Sequence, residues 1–285
     1  GFSAQDFRAM TDSYGLNVPS SHYNVAEGTF ADTLAYVKTL GQRYVGSGGF
    51  AAPGITSLEN TLATADTMDR LGALSVANGT GKFFGHNHAG EFTTKYEYKG
   101  VMTPAWEILV EETNPEYVTF EVDVAWAAHA GVDVVELLEE HGDRIDLLHV
   151  KDATGLVTQA RPTFVNLGEG DVPLQEILAE AVEQDVDLFV MEYDGSPANE
   201  EFAREGFEYL TGLEAGEANP TPAAYPVTAA AVTFTDAEGT TRNSTTTASD
   251  AAQARPSAVR KDSKTSTSCC RRSRGVDVTP LPAHQ

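Results

Sequence analysis

The 285 residues could form one large domain or two small ones, and their net charge of −23 is unevenly spread. Residues 1–213 hold 35 Asp and Glu against 11 Lys and Arg, a net −24, whereas 214–285 hold 7 against 8. The acidic first part argues against nucleic acid and against anionic membrane surfaces, both of which need a basic face, and its plainest reading is a solvated, self-repelling surface.

In chain order, a helix is expected over Ser3–Tyr14, then a strand over Asn17–Tyr23 and a helix over Thr29–Leu40. The strand Gln42–Gly46 and the helix Ser57–Ala77 follow, then the strand Lys82–His88 and the helix Thr103–Thr113. The strand Tyr117–Val124 precedes the helix Val132–His141, and the strand Ile145–Lys151 precedes the helix Leu174–Gln184. The strand Val186–Tyr193 and the helix Asn199–Leu210 close the series. Ser57 ahead of Glu59 reads as a cap, and Pro104 and Pro173 read as first-turn prolines. Strands alternating with helices predict an α/β domain with a parallel sheet over residues 1–213.

From Glu214 the pattern collapses into Ala, Thr, Ser and Pro, with one short β-like run, Val227–Thr235. Residues 214–285 therefore read as a low-complexity, disordered tail. It contains a basic stretch, KTSTSCCRRSR, and both cysteines, Cys269 and Cys270, so residues 1–268 hold neither a disulfide framework nor a CxxC metal site. No apolar run approaches the ~20 residues of a membrane helix. GFSAQDF is not a charged-then-apolar leader. The compartment stays open between cytoplasmic and secreted, with the tail's composition leaning towards export.

The chemistry-bearing residues are positioned by strand ends. His22, His86, His88 and His149 fall at the C-terminal ends of expected strands, as do Asp123 and Glu192. In parallel α/β sheets and barrels that edge is where active sites form. Side chains two apart on a strand share a face, which pairs His86 with His88, Glu121 with Asp123, His149 with Lys151, and Glu192 with Asp194. Asp, Glu and His without Cys suit a fairly hard divalent ion, Mn2+ foremost, with Mg2+, Co2+ or Zn2+ as alternatives.

GHNHAGEF (85–92), EVDVAWAAHAG (121–131), GDRIDLLHVKD (142–152), LGEGDVPLQEIL (167–178) and FVMEYD (189–194) together resemble the sugar phosphate isomerase/epimerase group of the xylose isomerase-like barrel superfamily. The resemblance covers roughly residues 1–213. It implies a (β/α)8 TIM barrel type fold. Six strands where eight are needed, in a chain that opens on a helix, imply that the first two strands and first helix are missing. The resemblance further implies a metal held by His86, Asp123, His149 and Glu192 and a small-molecule sugar as substrate, with the oligomeric state left open. With His86 in the ligand place by register, His88 and Glu192 are the proton-moving groups, although His86 and His88 could be exchanged; Lys151 faces a substrate oxyanion or an acidic neighbour, and His22 and Trp126 face the sugar. Histidines replace the glutamate that one branch of the family carries at the 86–88 strand, with Glu91 a further candidate if its loop folds back. That departure leaves two enzymatic outcomes, an isomerase/epimerase or a lyase of the inosose dehydratase or 3-keto-glycoside type. A nuclease of the related endonuclease IV type is a distant third, which the −24 charge and the small ligand set count against, and a non-enzymatic reading is an inactive barrel fragment. His129, His141 and His284 read as structural, Gly46–Gly49 lacks the Lys-Ser/Thr of a phosphate loop, and Gly168 with Gly170 reads as a loop or an anion seat before a helix.

Overall fold

A computed structural model describes residues 2–196, 198–213, 230–235 and 241–246. Local chemistry sets many of the segment ends. The Ser3 and Ser57 hydroxyls accept the backbone N–H of Asp6 and Asn60, starting α1 (Ala4–Ser13) and, after α2 (Phe30–Leu40), α3 (Leu58–Asn78). The remaining helices are α4 (Gly90–Thr93), α5 (Ala105–Glu112), α6 (Val124–His129), α7 (Val134–His141), α8 (Leu174–Glu183) and α9 (Asn199–Gly212).

The strands are β1 (Val45–Gly46), β2 (Phe83–His86), β3 (Lys95–Tyr98), β4 (Val101–Pro104), β5 (Val118–Asp123) and β6 (Ile145–Val150). They continue with β7 (Asp152–Thr154), β8 (Thr163–Val165), β9 (Leu188–Glu192), β10 (Ala230–Thr235) and β11 (Thr241–Thr246). Seven of them form one sheet in the order β1-β2-β5-β6-β9-β10-β11, parallel as far as β10 and antiparallel at β11. Each step from β1 to β9 passes through helical connections, the arrangement of a half-barrel, and β5 is buried along its whole length.

The expected first strand, Asn17–Tyr23, is reduced to a single parallel bridge between His22 and Gly46. Pro19 is the reason: it has no N–H to give a ladder, and its carbonyl instead accepts the N–H groups of Arg43 and Tyr44. The expected helix Val132–His141 begins two residues later, because the Asp133 carboxylate caps it by accepting from Val135 and Glu136 N–H. Pro104 and Pro173 stand at the capping position rather than in the first turn.

Two hairpins were not anticipated. β3 and β4 are joined by Lys99-Gly100, both with positive φ, as a two-residue turn that follows the sheet's twist requires, and glycine supplies the second position without strain. β7, which directly follows the C-terminal end of β6, pairs with β8 to form the second. The β-like run of the tail falls on β10, which pairs Ala231, Val232 and Thr233 with Val190, Met191 and Glu192 and so lies along the β9 edge. The other tail expectations, including disorder, the basic stretch, the cysteine pair and His284, lie outside the described residues.

Apolar packing fills both faces. Phe83, Phe120, Val122, Leu148 and Ile177 belong to the layer between sheet and helices, while Tyr44, Phe84, Leu147, Leu188 and Val190 form a separate cluster. The β5–β6 register shifts between Phe120 and Glu121, an irregularity of the kind that re-aims side chains beside active sites.

Candidate metal centre at the strand ends

Above the Phe84–Leu147–Leu188–Val190 cluster, the ends of β2, β5, β6 and β9 turn polar while staying buried. Glu121, Asp123, His149 and Lys151 are no more than 2% exposed, and His86 is 3% exposed. Buried charge is tolerated only when paired, and here the pairing is dense.

Asp123, His149 and Glu192 place ligand atoms within 4.8 Å of one another. His149 Nδ1 lies 2.9 Å from Glu192 Oε2 and 4.0 Å from Asp123 Oδ2. Asp123 divides its oxygens: Oδ1 accepts the Trp126 N–H and starts α6, whereas Oδ2 is buried and accepts no hydrogen bond of proper geometry. Lys151 Nζ stands 2.8 Å from that oxygen, 2.6 Å from Glu192 Oε2 and 3.2 Å from Asp194 Oδ2. An oxygen with spare acceptor capacity, beside a carboxylate and an imidazole from two other strands, is a donor set that fits a divalent cation.

A second convergence surrounds Glu121. Its Oε2 lies 2.5 Å from His22 Nε2, 3.1 Å from His86 Nδ1 and 3.1 Å from His149 Nε2. The rings of His22 and His149 stack at 5.1 Å, and those of His86 and His149 approach to 4.5 Å.

The electrostatics follow from this crowding. Burial works against the charge on Glu121, but His149 and His22 outweigh it and hold its carboxyl well below the usual range. Burial likewise opposes ionisation of Glu192, and His149 and Lys151 reverse the balance. Burial disfavours charge on His149, yet Glu121 and Glu192 draw its proton affinity well above that of a free imidazole. Lys151 behaves the same way, held protonated by Asp123, Glu192 and Asp194 against its burial. His86 goes the other way, its pKa pushed down to about 4 by burial and by neighbouring His149.

The other expected site residues are distributed around this centre. His86 joins the Glu121 cluster, with Nε2 3.9 Å from Asp123 Oδ2. His88 lies two residues beyond the strand and is exposed, its ring 5.2 Å from His86 and 5.3 Å edge-on from Trp126. Trp126 is half-buried and also meets Phe164 edge-on. His22 points its Nε2 at Glu121 and keeps 20% of its side chain exposed. Lys151 takes the ion-paired arrangement. Glu91 folds back onto its own turn, accepting the His88 N–H, rather than reaching the cluster. His141 sits apart and pairs with Glu107.

Three contributors carried too little weight in the sequence reading. Glu121 was noticed by strand parity but given no role. Asn87, between the two histidines, accepts the Asp123 N–H and donates to the Asp123 carbonyl, clamping the end of β2 to the end of β5. Its place beside two strand-end histidines was the available signal. Asp152 settles the Gly168–Gly170 question: its own carboxylate accepts the N–H groups of Ala153, Gly168, Gly170 and Val172. The anion seat is filled internally. A Cβ on Gly170 would come within 2.1 Å of the Asp152 oxygen, so this close approach requires glycine.

The structure is a parallel half-barrel that gathers carboxylates and imidazoles at its strand ends, a candidate metal donor set. The chain belongs to the xylose isomerase-like TIM barrel family, whose model matches residues 2–213. Among solved structures it is similar to a sugar phosphate isomerase/epimerase from Parabacteroides distasonis ATCC 8503, at 23% identity and a TM-score of 0.59 over 73% of this chain and 75% of that one. The probable 3-DHS dehydratase AsbF from Bacillus anthracis is similar at 14% identity and a TM-score of 0.55, over 72% and 80%. An IOLI protein with a bound zinc atom is similar at 15% identity and a TM-score of 0.51, over 67% and 72%. At these identities the likeness concerns the fold. No curated protein sequence matches the chain. No helix of the described residues is long and apolar enough to cross a membrane.

Proposed function

We propose that this protein is a metal-dependent enzyme moving a proton beside the carbonyl of a sugar or keto-sugar, with isomerisation or epimerisation as the outcome. The observation that carries this reading is the convergence of Asp123, His149 and Glu192 within 4.8 Å, around a buried Asp123 Oδ2 that is ion-paired to Lys151 and accepts no further hydrogen bond. Those three residues, with His86 at the edge of the set, would hold the ion. When bound, a divalent ion supplies Lewis acidity beside the carbonyl and offsets the negative charge that develops there.

The chain's own residues divide the remaining work. His88 is the exposed imidazole at the mouth and takes the proton from the carbon next to the carbonyl. In isomerisation it returns that proton to the former carbonyl carbon while the hydroxyl proton passes to the former carbonyl oxygen. In epimerisation water reprotonates the same carbon on its opposite face and takes up the proton from His88. Glu192 is held ionised by His149 and Lys151, which suits it to ligation better than to accepting that proton. Lys151 keeps Asp123 and Glu192 in register, and the Trp126 ring walls the side of the mouth next to His88. Hairpin β7–β8 brings Phe164 edge-on against Trp126.

The test is a product assay on a panel of keto-sugars in D2O with Mn2+ present. Mass-neutral conversion apart from deuterium uptake at carbon is expected. His88→Ala should lower kcat by about 10²–10⁴-fold, the usual contribution of one acid/base group, while Mn2+ binding is kept. Unchanged turnover in that variant would remove His88 from the mechanism.

A lyase outcome is the second reading, and the asymmetry of the site favours it. His88 is exposed, whereas Glu192 is tied to His149 and Lys151, so the same His88 that accepts the carbon proton can hand it to a departing hydroxyl. Loss of water or of an aglycone in the same assay identifies this outcome.

A further inference from the structure

The Glu121 cluster is more than support for its neighbour. Its four donors come from separate stretches of chain: His22 from the segment bridged to Gly46, His86 from the end of β2, Glu121 from β5 and His149 from β6. All four lie within 4.8 Å of one another. The separations from Glu121 Oε2, 2.5–3.1 Å, approach the roughly 3.3 Å between donors of a tetrahedral ion with bonds of about 2.0–2.1 Å. Three of the four groups are almost wholly buried, and the partly exposed His22 leaves one open side.

His149 distinguishes the two donor sets. Its Nδ1 faces Glu192, and its Nε2 faces Glu121. An imidazole that ligates through one nitrogen usually donates its other N–H to a carboxylate, which fixes ring orientation and tautomer. Glu192 stands where that carboxylate belongs if Nε2 is the ligating atom. The ammonium of Lys151, meanwhile, lies against Asp123, Glu192 and Asp194, the other set's oxygens.

We propose that His22, His86, Glu121 and the Nε2 atom of His149 form a second cation seat, nitrogen-rich and selective for ions of the zinc class. Three imidazoles and one carboxylate match a borderline ion such as Zn2+ or Co2+, whereas Mn2+ and Mg2+ favour the oxygen-rich set of Asp123 and Glu192. Because His149 turns one nitrogen to each set, it serves one seat at a time, and the identity of the ion decides which seat fills. The inference concerns where an ion sits and is independent of the reaction proposed above.

The experiment titrates the full chain, stripped with chelator, with Co2+ followed by its visible absorption and separately with Mn2+ followed by paramagnetic resonance. His22→Ala and Glu121→Gln should weaken Co2+ binding by more than the roughly 10–100-fold typical of a lost outer partner, and should alter its visible bands. Asp123→Asn should leave those bands in place while Mn2+ binding is lost. Glu192→Gln, which removes the acceptor for His149 Nδ1, should weaken Co2+ by about 10–100-fold. If Co2+ binds His22→Ala and Glu121→Gln as it binds the unaltered chain, the second seat is wrong even though Mn2+ still depends on Asp123. If Asp123→Asn abolishes both ions, one shared seat explains everything and the proposal fails. His22→Ala changes a partly exposed position, and Glu121→Gln keeps shape, so a melting curve on each separates lost ligation from lost folding.

Discussion

The same strands run through two chemically opposite regions. In their lower part, Phe84, Leu147, Leu188 and Val190 pack as an apolar cluster. Two to four residues further along the same strands, and on β5 between them, His86, Glu121, His149, Lys151 and Glu192 are nearly as well buried and all ionisable. Burial in the lower region removes apolar surface from water and is favourable by about 25 cal/mol per Å2. In the upper region burial desolvates charges, and the groups persist because each finds a counter-charge or hydrogen bond. The lower region is therefore where the sheet gains stability, and the upper one is where stability is exchanged for reactivity.

The largest effect expected on this contrast comes from Lys151→Met in the metal-free chain. It leaves Asp123 and Glu192 without their ammonium and should cost about 3–5 kcal/mol in a denaturant titration. Saturating Mn2+ should recover much of that deficit by supplying the missing positive charge. An equal loss with and without the ion would mean that Lys151 acts by packing alone.

Leu147→Ala, in the lower cluster, should cost about 2–5 kcal/mol and be indifferent to Mn2+. An ion-dependent deficit here would erase the distinction between the two regions. Asp152→Ala strips the acceptor from the Gly168–Val172 loop and should cost about 1–3 kcal/mol, read as a lowered Tm and faster amide exchange at Gly168 and Gly170.

The smallest effect is a pH profile of the chelated protein. Glu121 and Glu192 have folded pKa values below the ordinary 4.5, so their contribution is whole above that pH and is lost as pH falls through the depressed values. His149 has a raised folded pKa, so its contribution is whole below 6.5 and is lost as pH rises through the raised value. His86, with its pKa pushed down to about 4, costs stability as pH falls from 6.5 towards that value, so Tm should peak near the upper limit, and the profile should flatten in Glu121→Gln. A variant profile superimposable on the original would dissociate the cluster from stability.

The alternation of β-rich and helical segments made the α/β architecture legible from sequence, because periodicity and capping are local properties. The strand ends were legible too: Asp123, His149 and Glu192 were placed by register, and they converge. Other features depended on partners distant in the chain. Pro19 reduced the expected first strand to one bridge because its pairing needs were met by Arg43 and Tyr44. His88 left the face of His86 because β2 stops at His86 and the chain turns there.

The order of residue types along the chain by itself determined a parallel α/β sheet with ionisable groups at one edge, since spacing and parity fix the elements and the faces they present. The tertiary structure alone decided that Glu121 gathers three imidazoles, that Asp152 fills the glycine loop and that Lys151 lies against three carboxylates. Those outcomes depend on distances between strands. A linear sequence does not encode such distances until the register between neighbours has formed.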